Sequence, residues 1–395
     1  MVPAPSPDQI AAAEDRLRGL VDQPSWSFAV DDLAACAGLV ADLFAPVADE
    51  VDLLDLQPLE EVDELGQVRP VPLGQVVRAV RRPRAPRQVL LVGHYDTVFP
   101  PGSSFAGIAD EDGVWRGPGV VDAKGGLVVA ALALELAEAV GLEVGWEVLV
   151  VPDEEIGSPG SAAVLAAAAV HADLGLGYEP AMPDGAIAAA RPGSANWVHV
   201  VRGKAAHAGR ELVEGRNAVL AAAALAAGIH GLNDDPELLA NPGMLHGGTA
   251  LNIVPDLAIL RSNVRATTAE AMDRATAAIA TAVEELAVDG IRIDQHGGVT
   301  RPPKELTDDY ARLLAAVITT ADDLGVPLQS RDTGGVCDGN VLAGAGLVNV
   351  DNLGPVGGDL HRPSEYLLPT SIGPRARLSA EVLVRFDRGE LGGPT

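Results

Sequence analysis

Aromatic residues are scarce in this chain: Phe, Trp and Tyr together make up 3% of its 395 residues. So few flat rings leave little to stack on bases, and the interior has to be filled with small aliphatic side chains. Basic residues are also short, with 28 Lys and Arg against 55 Asp and Glu and a formal net charge of −27. A surface of that sign repels phosphate backbones and anionic lipid, so neither nucleic acid nor a membrane is expected as a partner. An anionic substrate stays open, because one Arg can dominate inside a cleft. The two cysteines, Cys36 and Cys337, are too few for a disulfide framework and are not spaced as a metal pair, which fits a reducing, cytoplasmic compartment. The Ala/Leu/Val runs near 127–140 and 218–228 are too short or too interrupted by charge to span a bilayer. The opening MVPAPSPDQIAAAEDRLRGL lacks the basic start and long apolar run of a secretion signal.

The length suggests two domains, and a hydrophobic content of 48% can fill more than one core. Residues 8–20 read as an amphipathic helix, and 42–85 as a variable, mixed-charge stretch ending in RRPRAPR. After it, QVLLVGH (88–94), WEVLVVP (146–152) and LGLGYEP (174–180) are nearly continuous apolar runs of strand length. Helical segments at 124–140 and 161–171 lie between them. That alternation predicts an open α/β sheet with buried parallel strands. The texture changes near 195. Alternating strands are expected at 195–203 and 291–295, helices at 217–229 and 269–288, and two strands broken at Pro255 within 251–266. The last part returns to α/β character, with helices at 306–325 and 371–388 around a strand at 346–354.

Ligands of open α/β sheets bind beyond the carboxyl ends of the strands, and polar clusters fall at such places here. His94 and Asp96 leave the first strand two residues apart, so one face could offer an imidazole to a metal with a carboxylate behind it. Asp122 stands among glycines before a helix, where it could bridge two cations or merely cap the helix. Asp153, Glu154 and Glu155 follow the second strand. They form either a solvated acidic loop or a metal ligand beside a base that takes a proton from metal-bound water. Glu179 ends the third strand, and His361 lies in GGDLHRPSEY. The turn from Arg331 to Asn340 could present backbone donors to a carboxylate. Cys337 within it has no positioned Cys–His–Asn arrangement and reads as packing. No H-E-x-x-H, phosphate loop or dinucleotide motif is present. Two histidines with aspartate and glutamates make a nitrogen/oxygen donor set for two divalent cations. Zinc is the first choice, and cobalt or manganese can substitute.

GHYDTVFP, GPGVVDAKGG, VPDEEIGSPGS, GYEP, VRGKAAHAG, LNIVP, SNVR, DTGGVCDGN and the late His361 occur in an order that resembles the M20 metallopeptidases. The resemblance is nearest to the glutamate carboxypeptidase branch, with acetylornithine deacetylase and succinyl-diaminopimelate desuccinylase as relatives. It covers roughly residues 88–365. It implies a catalytic domain (1–194 and 299–395) with a mixed, largely parallel central sheet flanked by helices. An inserted α+β lid or dimerisation domain (195–298) completes the expected architecture.

By the same resemblance, His94 and Glu179 are terminal ligands of one metal, Asp122 bridges, and Glu155 and His361 hold the second. Glu154 is the general base that activates the metal-bridging water, and Asp96 supports His94. His207 approaches the site from the partner subunit of a homodimer. Arg265 and Asn252 hold the substrate carboxylate, with Gly334 and Gly335 in the same pocket and Arg331 as a further candidate. The implied reaction is hydrolysis of an N-acyl amino acid or short peptide at the amide next to a free carboxylate. The alternative is an acetylornithine-deacetylase-like deacylase of a basic N-acyl amino acid. Two departures bear on specificity: Val336-Cys337 stand where a Gly followed by Thr or Ser is common, and Arg362 follows His361 where a small residue is usual.

Overall fold

A computed structural model describes residues 1–391. The chain divides into two compact units. The first comprises Met1–Pro58, Pro72–Ala190 and the segment from Leu306 onward; the second comprises Leu59–Val71 and Arg191–Glu305. The strip Leu59–Val71, which the sequence reading leaves with the catalytic part, groups instead with the second unit.

The first unit is built on a six-stranded sheet in the order Glu50–Leu54, Val76–Arg81, Gly145–Val151, Gln88–His94, Leu174–Gly177, Asn349–Val350. The last four pair in parallel, and the first two add antiparallel pairings at one side. Sequence pattern and burial agree: Val89 to His94 are all buried, because both faces of the strand are covered. On one face Val89, Leu91, Trp146, Val148 and Val150 pack with helices Pro7–Asp22, Val30–Phe44, Lys124–Ala139, Asp308–Leu324 and Ile372–Asp387. On the other, Leu90, Val92, Leu149 and Val151 meet Ala162–Ala169 and Asp338–Gly344. Helix Lys124–Ala139 is buried on nearly every side, so it has no polar stripe.

The second unit is a four-stranded antiparallel sheet, ordered Leu238–Gly247, Leu257–Ala266, Gly193–Arg202, Arg292–Arg301. Helices Ala218–Gly231 and Ala269–Leu286 bury Trp197, Leu260 and Val264. The hairpin of Leu59–Val62 and Val68–Val71 joins it through Arg202, whose Nη2 donates to the Gly66 carbonyl at 2.8 Å. The expected pair of strands within 251–266 is one strand, Leu257–Ala266; residues before Pro255 form an exposed loop. Its partner is Leu238–Gly247. Pro242 and two glycines obscure that strand in the sequence, and the pairing accommodates Pro242 with a register shift at Pro242/Met244.

Candidate metal centre

Strands Gln88–His94 and Gly145–Val151 run in register, His94 opposite Val151, so both leave the sheet at the same edge. Strand Leu174–Gly177 ends there too, with Gly177 opposite Val92. His94, the Asp153–Glu155 segment and Glu179 therefore emerge side by side, as parallel topology requires. Asp122 comes from the turn before helix Lys124–Ala139. The cap of that helix is Ala123, and Asp122 makes no capping bond, so the capping alternative fails.

The Asp122 side chain faces inward between two histidines. Its Oδ1 lies 3.2 Å from His94 Nε2, and its Oδ2 lies 3.5 Å from His361 Nε2. His361 Nε2 is 3.1 Å from Glu155 Oε2, and His94 Nε2 is 3.9 Å from Glu179 Oε1. Five of the residues read from sequence as ligands thus converge. His94, Asp122 and Glu155 offer donor atoms all within 4.8 Å of one another, and they form a metal-binding site. The donors suit a cation: about 3.3 Å is the edge of a tetrahedron with arms of roughly 2.0 Å, the length of a zinc–nitrogen bond.

Electrostatics agree with that use. Burial opposes charge on His94, yet hydrogen bonds to Asp122 and Asp96 hold its imidazole well above the ordinary histidine value. Asp122 and Glu155 raise His361 to about 10. Burial pushes Glu155 up to about 8 despite its bond to His361. Asp122 is buried as well, but hydrogen bonds from His361 and His94 hold it below the usual carboxylate range. A divalent cation would supply the positive charge that protons supply here.

Asp96, fully buried, supports more than His94. His94 Nδ1 lies 3.3 Å from its Oδ1 and 3.1 Å from its backbone carbonyl. The same carboxylate accepts from the N–H groups of Glu154 (3.1 Å) and Glu155 (3.2 Å), fixing the 3₁₀ turn Glu154–Ile156. The acidic segment is not a solvated loop. Asp153 is buried and accepts from Gly160 N, Ser161 N and the Ser161 hydroxyl.

Sequence reasoning missed three contributors. The Ser27 hydroxyl donates to Asp96 Oδ2 at 2.7 Å. Lys124 buries its ammonium against the carbonyls of Leu20 and Gln23, at 2.9 and 2.8 Å. Glu365, four residues after His361, accepts from three N–H groups of the Asp122 loop. None of the three carries a signal of its own in the sequence, because each acts on a carboxylate, a carbonyl or backbone N–H groups far along the chain.

Arg331 is half exposed and pairs with Asp184 at 2.7 Å. Gly334 and Gly335 lie in the turn before Cys337, which is buried with its Sγ 3.4 Å from Asp351 Oδ2. In the second unit, His207 bridges to Ile253, and Ala208 N donates to the Asn252 carbonyl at 3.0 Å, so these two loops sit together. Gly209 N–H donates to His207 Nδ1 at 3.1 Å, which leaves the proton of the neutral ring on Nε2. Arg265 is half-buried on strand Leu257–Ala266.

Among characterised proteins, the chain is 27% identical to carboxypeptidase G2 of Pseudomonas sp. (strain RS-16) over 314 residues, 78% of this chain and 76% of that protein. In fold it resembles the M20 family metallo-carboxypeptidase Sso-CP2 of Sulfolobus solfataricus, with a TM-score of 0.74 at 17% identity. That alignment covers 95% of this chain and 99% of the other. It likewise resembles the YXEP protein of Bacillus subtilis, described as a dinuclear metal-binding peptidase from the M20 family. There the TM-score is 0.66 at 17% identity, over 97% and 99% of the two chains. The description of peptidase family M20/M25/M40 matches residues 90–385, a span that holds all five converging side chains. By that match and the metal site within it, the chain belongs to peptidase family M20/M25/M40 and is a metal-dependent hydrolase.

Proposed function

We propose that this protein is a two-metal hydrolase that cleaves the amide bond of an N-acyl amino acid or short peptide next to a free carboxylate. The observation that carries the reading is the position of Asp122, whose two oxygens face two different histidines at 3.2 and 3.5 Å. A carboxylate so placed could serve two cations at once. His94 and Glu179 would complete one set, and His361 and Glu155 the other. Similarity to carboxypeptidase G2 and to a dinuclear peptidase supports this assignment. The nitrogen/oxygen donors favour zinc, with cobalt or manganese as substitutes.

Divalent cations held by these residues would polarise the amide carbonyl and lower the pKa of a water. Glu154 takes the water's proton as oxygen adds to the carbonyl carbon, then passes it to the departing amine as the C–N bond breaks. Asp96 keeps His94 and the Glu154 turn in fixed relation through this transfer. His207, with its proton on Nε2, donates to the developing oxyanion. Arg265 and Asn252 are the side chains suited to hold the carboxylate of the substrate. Arg331 is a poorer choice, because Asp184 already engages it.

The second unit serves as lid and dimerisation domain, and His207 acts on the partner's site. Its edge strand Leu238–Gly247 supports a homodimer: Leu239, Met244 and Leu245 are exposed on a strand paired along only one side.

Amine release is measured on N-acyl-glutamate, N-acyl-aspartate, neutral N-acyl amino acids, N-acetylornithine and dipeptides, with zinc- or cobalt-loaded protein and Glu154→Gln as the blank. Turnover of acyl-glutamate or neutral substrates that vanishes in the blank supports the proposal. Preference for N-acetylornithine moves the assignment to a basic-amino-acid deacylase. Silence with two metals bound rejects the substrate class.

A further inference from the structure

The loop that carries Asp122 is rich in glycine and buried, and its backbone needs acceptors. It follows strand Val114–Arg116, which pairs with Tyr366–Leu367. Along that ladder Arg116 Nη1 also donates to the Ser364 carbonyl at 2.6 Å. Beyond the ladder, Gly119, Val121 and Asp122 all turn their N–H groups toward one carboxylate. Glu365 Oε2 accepts from Gly119 at 3.0 Å, and its Oε1 accepts from Val121 at 2.9 Å and Asp122 at 3.1 Å. Glu365 is 1% exposed, so these bonds have no competition from water.

We infer that Glu365 is a positioning residue of the metal centre: it fixes the backbone of Asp122 and ties it to the loop of His361. Asp122 must point one oxygen at each histidine, and a small rotation of its backbone would spoil both distances. The carboxylate that sets this backbone stands four residues from His361, which itself adopts a left-handed backbone conformation (φ 64°). The loops carrying two proposed ligands are therefore held by one side chain that is not itself among those ligands. Replacing its carboxylate with an amide would turn an NH₂ toward N–H donors and leave at least one of them buried without an acceptor.

The inference rests on the reading of His94, Asp122, Glu155, Glu179 and His361 as ligands, and the test separates the two. Zinc binding is titrated calorimetrically for the full-length wild type, Glu365→Gln and Glu381→Gln. Glu381 is a second buried glutamate, bonded to the Val2 N–H far along the chain from the metal residues. E365Q is expected to bind zinc roughly ten- to a hundred-fold more weakly at one or both positions. Its kcat should fall much more than its KM rises, and E381Q should bind zinc as the wild type does however far its Tm drops. Wild-type zinc affinity in E365Q overturns the inference, and so does an equal loss in E381Q, which would mark general destabilisation. Failure of the wild type to bind two zinc ions overturns the underlying ligand reading instead. If E365Q does not fold, Glu365→Asp keeps the charge one methylene short, and unchanged zinc affinity in it is the contrary result.

Discussion

Ser27 shows how much a single hydroxyl can govern. It donates to the carboxylate that also holds His94, Glu154 N and Glu155 N. Ser27→Ala is expected to cost about 1 kcal/mol of stability, the usual worth of such a bond. It should also weaken metal binding by roughly ten-fold, the lower end for outer-shell partners of a metal ligand. Thermal unfolding and zinc titration on one preparation measure both, and a stability loss with unaltered zinc affinity would reduce Ser27 to packing. Glu154→Gln keeps the backbone N–H that bonds Asp96 but removes the proton acceptor. Turnover should fall by roughly 10²- to 10⁴-fold with metal content unchanged. His94, Glu155 and Glu179 were legible because acids and histidines gather where buried strands end, and Asp122 and His361 because their motifs resemble those of the M20 family. Ser27 and Glu365 were not, because each acts on a carboxylate or on backbone N–H groups distant in sequence, and a serine or glutamate alone carries no such signal.

At the level of elements, Gly126 sets how closely helix Lys124–Ala139 approaches the chain before Glu179. A Cβ there would overlap the carbonyl oxygen of Tyr178. Gly126→Ala should therefore lower Tm and displace Glu179, with metal content dropping below that of the wild type. Wild-type Tm and metal content would show that the helix can shift without consequence. The buried strands and long helices were readable from run length, and strand Gln88–His94 matches its expectation residue for residue. Helix Val30–Phe44 and strands Glu50–Leu54 and Val76–Arg81 were missed. Both strands lie in a stretch of mixed charge: Glu50–Leu54 is an edge strand with no fully buried residue, and the apolar run of Val76–Arg81, though four of its residues are buried, is interrupted by Arg78 and ends at Arg81. The misplaced strand of the second unit has a similar cause. LNIVP is apolar, yet Leu251 and Ile253 are exposed loop residues, while Leu238–Gly247 hides behind Pro242.

For the whole molecule, proton and metal binding are linked. His361, raised to about 10 by Asp122 and Glu155, carries a proton at neutral pH, and ligation requires that proton to leave. Zinc uptake should therefore release protons, and affinity should fall as pH is lowered. Calorimetry in two buffers of different ionisation heat counts them, and a zero count would contradict the linkage. Association is testable through the edge strand: Leu245→Glu should yield monomers by sedimentation that keep their metals and lose most of their turnover. Full activity in such a monomer would remove His207 from the proposed role across subunits.

The order of the proposed ligands along the chain has a consequence for synthesis. His94, Asp122, Glu155 and Glu179 precede the whole segment Arg191–Glu305, and His361 follows it. At roughly 5–20 residues per second, the 182 positions from Glu179 to His361 keep the ribosome busy for about 9 to 36 seconds. During that interval the nascent chain displays an acidic half-site without its last imidazole or the clamp of Glu365. By the proposed ligand sets, His94, Asp122 and Glu179 would already be present for one cation while the position of Glu155 would still lack His361, so the second metal would be held durably only once the C-terminal segment has left the tunnel.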